Sequence, residues 1–199
     1  MTRTKVLLLP GWQNSGPEHW QSRWERTHAY ERVQQHDWMR PLRGDWIARL
    51  QDVVLGHVAQ QAPGTPADIV LAAHSLGCIL VAAWAANNPL ARHVRGALLV
   101  APGDPQREEV AAALPSWFQT PDTRLPFPTL LLGSHDDPYC SFERAQEFAR
   151  NWGSQFIDYG RCGHINADSG LGDWPQGHAM LMQLAGASPA PSTAHEKEG

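Results

Sequence analysis

Cysteine is scarce in this chain: three residues in 199, Cys78, Cys140 and Cys162, far apart and with no C-x-x-C pair. An odd, dispersed set excludes a disulfide framework and suits a reducing compartment, so a cytoplasmic location is expected. Long apolar runs are also missing. None approaches the roughly 20 residues that cross a bilayer, and no membrane partner is expected. Val6-Leu7-Leu8-Leu9, close behind Met1-Thr2-Arg3-Thr4-Lys5, is too short for a secretory signal and reads as a first strand. There is no basic block and no acidic tail. The 16 basic and 20 acidic residues are interspersed for a net charge of −4, which argues against nucleic acid as a partner. Internal repeats are absent. So is any compact metal-ligand motif of the H-E-x-x-H kind: His135, Asp136, His164, Asp168 and Asp173 follow no such spacing, and neither metal nor organic cofactor is expected.

What is present suffices for one well-buried core. At 199 residues and 42% hydrophobic, a single domain over residues 1–186 is expected, with 187–199, rich in Ala, Pro, Ser and charge, as a disordered tail. Six short apolar or β-branched runs alternate with helical patterns, the signature of a parallel sheet wound with crossover helices. They are Lys5 to Leu9, Glu31 to Gln35, Asp68 to Ala73, Gly96 to Val100, Pro128 to Leu132 and Gln155 to Asp158. Glu31 to Gln35 has only Val33 as a strong strand former. Trp46 to His57 and Leu76 to Ala86 read as helices. Gln106 to Pro126, with Trp117, Phe118 and several prolines, reads as an excursion over the strand ends, outside the core and able to form a substrate wall.

The most informative stretch is Asp68-Ile69-Val70-Leu71-Ala72-Ala73-His74-Ser75-Leu76-Gly77-Cys78. A serine that breaks an apolar run, with small residues two positions to either side, fits a tight strand-to-helix turn that holds its hydroxyl out of the sheet. Ser75 is therefore the candidate nucleophile, in an A-x-S-x-G pattern; the alternative is a serine that merely caps the following helix. A serine hydroxyl needs a histidine to take its proton and an acid to orient that histidine. In doubly wound hydrolases these follow in the order Ser, acid, His at later strand ends. Gly133-Ser134-His135-Asp136-Asp137-Pro138 follows the fifth run, and Tyr159-Gly160-Arg161-Cys162-Gly163-His164 follows the sixth. His164 is the candidate base and Asp137 the candidate acid, with Asp136 as the alternative. The Leu76 backbone N–H and one from the loop after the first run, assigned to Trp12 with Gly11 permitting the turn, are expected to form the oxyanion hole.

These residues resemble the small serine hydrolases of the retinoblastoma-binding-protein-9/YdeN type, within the α/β-hydrolase superfamily. The resemblance spans residues 4–185. It rests on Pro10-Gly11-Trp12, Ser15-Gly16-Pro17-Glu18-His19-Trp20, Asp37-Trp38, Ala73-His74-Ser75-Leu76-Gly77-Cys78, Ser134-His135-Asp136-Asp137-Pro138-Tyr139 and the long Gly163-His164-Ile165-Asn166-Ala167-Asp168-Ser169-Gly170-Leu171-Gly172-Asp173-Trp174-Pro175. It implies a triad of Ser75, Asp137 and His164. It also implies a compact three-layer α/β fold with a six-stranded parallel sheet in the order 2-1-3-4-5-6, helices on both faces and no large lid. Ala73 departs from the glycine found in many of the wider superfamily. Esterase activity on small esters is what the resemblance suggests, with amide or thioester cleavage, or a non-catalytic binding protein on the same fold, as alternatives.

Nine tryptophans are a heavy load for this length. Trp12 and Trp20 flank the candidate oxyanion loop and Trp174 follows His164, so with Gly11 they are expected to wall an aromatic substrate pocket. Trp24, Trp46, Trp84 and Trp152 are expected in the core. Asn166 and Asp168 are expected to brace the histidine loop. His74 should face away on the elbow and pack structurally, and Cys78 should be a small buried hydrophobe.

Overall fold

Six parallel strands form one sheet in the order β2-β1-β3-β4-β5-β6 in the computed structural model, which describes residues 4–62 and 68–186. The strands are β1 (Lys5–Leu9), β2 (Glu31–Arg32), β3 (Ile69–His74), β4 (Val94–Val100), β5 (Thr129–Gly133) and β6 (Gln155–Asp158). Between and after them run α1 (Trp20–His28), α2 (Arg43–Ala59), α3 (Leu76–Ala85), α4 (Glu108–Ala113), α5 (Phe142–Trp152) and α6 (Pro175–Gly186). The tail expected over 187–199 lies outside the described residues. Strand order, parallel pairing and layering are those the resemblance implied.

Successive strand residues point to opposite faces, and this alternation sorts the apolar side chains into two cores. Leu7, Leu9, Ile69, Leu71, Ala73, Leu99 and Leu131 pack with Trp46 and Leu50 of α2, Ile79 and Trp84 of α3, and Phe148 and Trp152 of α5. Val6, Leu8, Val70, Ala72, Leu98, Val100 and Leu132 pack with Trp20 and Trp24 of α1 and Leu181 and Leu184 of α6. Because helices cover both faces, β3 is apolar and buried along its length until it ends at His74.

Three expectations change. β2 is two residues long, shorter than the run of 31–35; beyond it only the Val33 N–H reaches β1, donating to the Leu8 carbonyl at 2.9 Å. The polar residues that follow have no apolar face to bury there. Helix α2 starts three residues before Trp46, because Asp45 suits a helical first turn that is too exposed to show apolar periodicity. The segment 106–126 is not wholly outside the core. Leu114, Trp117 and Leu125 are buried, and Trp117 Nε1–H donates to the Pro41 carbonyl at 2.9 Å.

Candidate active site

The loops leaving the carboxyl ends of β1, β3, β5 and β6 converge, as they must in a sheet of this winding, and each brings one part of the site. Ser75 stands between β3 and α3 with φ 55° and ψ −122°, a conformation a non-glycine residue adopts only under constraint. It occupies the N-cap position of α3 yet its side chain makes no capping bond, so the capping alternative fails. The turn holds because its neighbours are small. A Cβ on Gly77 would lie 2.2 Å from the Leu9 carbonyl oxygen, and one on Gly11 would lie 2.7 Å from the Ser75 Cβ. Ala73, the departure from glycine, is fully buried in β3 without disturbing the turn.

His164, after β6, has Nδ1 at 2.9 Å from both carboxylate oxygens of Asp137, after β5. Both side chains are nearly buried, at 8% and 3% exposed. Asp136 does other work. Its Oδ1 accepts from the Ser134 hydroxyl and from the Gly163 N–H, each at 2.9 Å, which ties the acid loop to the histidine loop. Those bonds, with Arg161 nearby, hold its carboxyl below the usual carboxylate range. Neither aspartate caps α5, where the Ser141 hydroxyl accepts from the Arg144 N–H.

The histidine loop is pinned from beneath by two buried donors. His74 Nε2 donates to the His164 carbonyl at 2.8 Å, and Trp20 Nε1–H donates to the Ile165 carbonyl at 3.0 Å. These bonds hold Ile165 at φ 46°, an outlier for a β-branched residue. His74 is thus packed, as expected, but against the site and not away from it: its ring lies edge-on to His164 at 4.7 Å and to His19 at 4.6 Å. Burial and the neighbouring histidines keep His74 neutral, well below its ordinary range. Asn166 Oδ1 accepts from the Asp168 N–H at 3.0 Å, a brace of the expected kind, whereas Asp168 is exposed.

Ser75, His164, Gly11, Trp12 and Leu76 line one cavity of about 290 Å³. The Trp12 loop is tied down by Gln13 N–H donating to the Trp38 carbonyl and by Trp12 Nε1–H donating to the Met39 carbonyl. Asp37 in turn accepts from the Met39 and Arg40 N–H groups. Among the described residues the backbone N–H groups of Trp12 and Leu76 donate to no protein group, and the Ser75 hydroxyl has no partner. Pro105, Val110, Leu114 and Tyr139 supply a less polar wall. Cys78 is buried, and its thiol is pushed up by that burial, as suits an inert hydrophobe. Among the described residues no group of three or more His, Cys, Asp or Glu could hold a metal ion.

A serine hydrolase family profile matches residues 6–183. The chain belongs to that family. A solved YdeN-like hydrolase from Pectobacterium atrosepticum is 31% identical, with 92% of this chain and 91% of that one covered at a TM-score of 0.74. The ydeN gene product of Bacillus subtilis shares 17% identity over 92% of this chain and 98% of its own, at a TM-score of 0.70. Est1E from Butyrivibrio proteoclasticus, solved with ferulic acid bound, shares the fold at 15% identity, TM-score 0.66, over 92% and 90% of the two chains. No curated protein matches the hydrolase significantly.

Two expected pocket residues are elsewhere. Trp20 and Trp174 are each about 1% exposed and pack on each other at 5.0 Å beneath the histidine loop. Trp174 Nε1–H donates to the Tyr159 hydroxyl at 2.6 Å, so both rings are supports and not walls. Of the three tryptophans expected at the pocket, Trp12 alone lines the cavity. Val110 and Leu114 line it from the segment 106–126 expected to form a substrate wall, whereas Asn14, His19 and Gly103 line it without having stood out in the sequence. His19-Trp20 was the available signal: one residue lines the cavity and the next supports the loop. No helix of the described residues is long and apolar enough to cross a membrane.

Proposed function

We propose that the hydrolase is a carboxylesterase acting on small esters through Ser75, His164 and Asp137. The observation that carries this reading is the Asp137 carboxylate, buried, with both oxygens 2.9 Å from His164 Nδ1. A carboxylate only accepts, so Nδ1 carries the proton and Nε2 keeps the lone pair that a serine proton requires.

In the acylation step the Ser75 Oγ–H proton passes to His164 Nε2 as Oγ bonds to the ester carbonyl carbon. The carbonyl oxygen becomes the oxyanion, received by the free N–H groups of Trp12 and Leu76, donors worth roughly 3 to 4 kcal/mol each where such groups have been removed. Collapse breaks the bond to the alkoxy oxygen, which leaves with the proton from His164. Water then gives a proton to His164, attacks the acyl carbon and releases the acid, and the proton returns to Ser75. Among the described residues the Ser75 hydroxyl has no hydrogen-bond partner, and its bond to His164 Nε2 is one that forms with substrate in place. No metal or cofactor enters these steps.

Esterases among the similar structures, such as one from Rhodococcus, support esters over amides or thioesters as the substrate class. Three unpaired cysteines favour a reducing compartment, and the cytoplasm is the location we propose. The test is hydrolysis of p-nitrophenyl esters from acetate to octanoate by wild type and Ser75→Ala. Turnover lost in the variant supports the reading. A folded wild type without turnover on any ester favours amide or thioester substrates, or a binding protein on the same fold.

A further inference from the structure

Three side chains that line the cavity beside Ser75 have their acceptor atoms already occupied by groups that can only donate. Asn14 Oδ1 accepts from the Ser15 N–H at 2.8 Å and from the Arg32 guanidinium at 2.6 Å. His19 Nδ1 accepts from the Gln21 N–H at 3.2 Å, and Asn166 Oδ1 from the Asp168 N–H at 3.0 Å. Backbone N–H and guanidinium groups have no lone pair to offer, so the amide orientations and the histidine tautomer follow without ambiguity. Burial, His164 and Arg32 push the His19 pKa down to about 3, which leaves the ring neutral with its one proton on Nε2.

What remains to each side chain is a donor: Asn14 Nδ2, His19 Nε2–H and Asn166 Nδ2. Among the described residues none of these donors has a protein partner. His19 is the telling member. It is 5% exposed and lines the cavity, and among the described residues its Nε2–H has no protein acceptor. A buried donor is ordinarily paired, and an oxygen acceptor on a bound substrate would pair this one. His74, packed behind His19, uses its own donor on the His164 carbonyl.

The geometry points to Asn14, His19 and Asn166 as a donor-only subsite that selects substrates carrying a second oxygen acceptor, a ketone or carboxylate, near the scissile ester. This deepens the esterase reading and rests on Ser75 as nucleophile. A site built to donate discriminates strongly against an analogue with nothing to accept, while the apolar wall at Val110 and Leu114 still takes hydrocarbon.

The test compares kcat/KM on ethyl pentanoate, ethyl 4-oxopentanoate and monoethyl succinate, followed by acid release. The last two separate ketone from carboxylate recognition. Wild type is expected to prefer one of them over the plain ester by about tenfold or more. Asn14→Asp and Asn166→Asp keep the occupied oxygen and turn the free donor into an acceptor, so folding is retained. In each the preference is expected to collapse toward unity, read as a ratio on the same enzyme preparation. A wild-type ratio near one, or a preference untouched by both variants, overturns the inference.

Failure of the esterase reading looks different: a fluorophosphonate labels Ser75 but none of the three esters turns over. Protection from labelling then decides the subsite. Free 4-oxopentanoate or succinate slowing the label more than pentanoate does, in wild type and not in the variants, supports it; equal protection overturns it.

Discussion

Mild acid should destabilise this protein through two buried histidines, and His19 sets a lower bound on the effect. His19 and His74 are buried side by side against His164, and each is held below its ordinary pKa, first by burial and then by its charged or chargeable neighbours. The sign is fixed by which state binds protons. Below about pH 6.5 the unfolded chain protonates both rings while the folded chain does not, so acid favours unfolding. For His19 the window runs from about 6.5 down to about 3, and stability is fully present only above it. At pH 5 the linked loss is roughly 2 kcal/mol for His19 alone, and His74 adds to it in the same direction. Against a typical stability of about 5–15 kcal/mol this is large. Urea unfolding from pH 7.5 to 5 reads it directly. His93 and His178 are lowered too and add to the total, so the diagnostic quantity is the difference between wild type and His19→Gln. The variant should lose about one proton from the pH slope, or roughly 1.4 kcal/mol per pH unit, whatever its stability at pH 7.5. An unchanged slope would refute the claim that His19 is buried neutral.

Asp137→Asn places an amide N–H₂ against His164 Nδ1, forces the wrong tautomer and should lower kcat about 10⁴-fold at unchanged fold. Asp136→Asn keeps an oxygen for Ser134 and Gly163, so it should leave kcat within about tenfold, measured on the same p-nitrophenyl ester. Equal losses in the two would reverse the assignment of the acid. Gly77→Ala drives a Cβ to 2.2 Å from the Leu9 carbonyl, a backbone atom that cannot give, and should lower Tm sharply, by the order of 3 kcal/mol of overpacking strain. Trp20→Phe removes the bond to the Ile165 carbonyl while keeping most of the ring packing. Its stability loss should be about 1 kcal/mol by denaturation, with a fall in kcat that exceeds any rise in KM.

The parts of this molecule legible in the sequence are those set by local pattern. The elbow at Ser75 is written in the small residues Ala73 and Gly77, and the alternation of Val6 to Leu9 already divides the two cores. Gly163-His164 and Asp137-Pro138 could be placed because strand ends can be located from apolar runs. The tryptophans could not be sorted this way. Trp12 and Trp20 stand eight residues apart in the same connection, and only the packing of α1 under the histidine loop puts Trp20 inside and Trp12 at the cavity. Segment 106–126 walls the cavity as its place in the chain suggested, but its burial was hidden for the same reason: its prolines signal a loop, and nothing local shows that Pro41, far away in sequence, accepts from Trp117. His19 was hidden by its type, since histidine is an uncommon N-cap and its orphan nitrogen exists only once the cavity is formed around it.

The central claim is that Ser75 is the nucleophile of an assembled site, and the most direct measurement is intact mass after treatment with a fluorophosphonate, with the adduct mapped by peptide. The account predicts a single adduct on Ser75, absent in Ser75→Ala and strongly slowed in Asp137→Asn. A folded wild type that stays unlabelled, or an adduct on another residue, would contradict it.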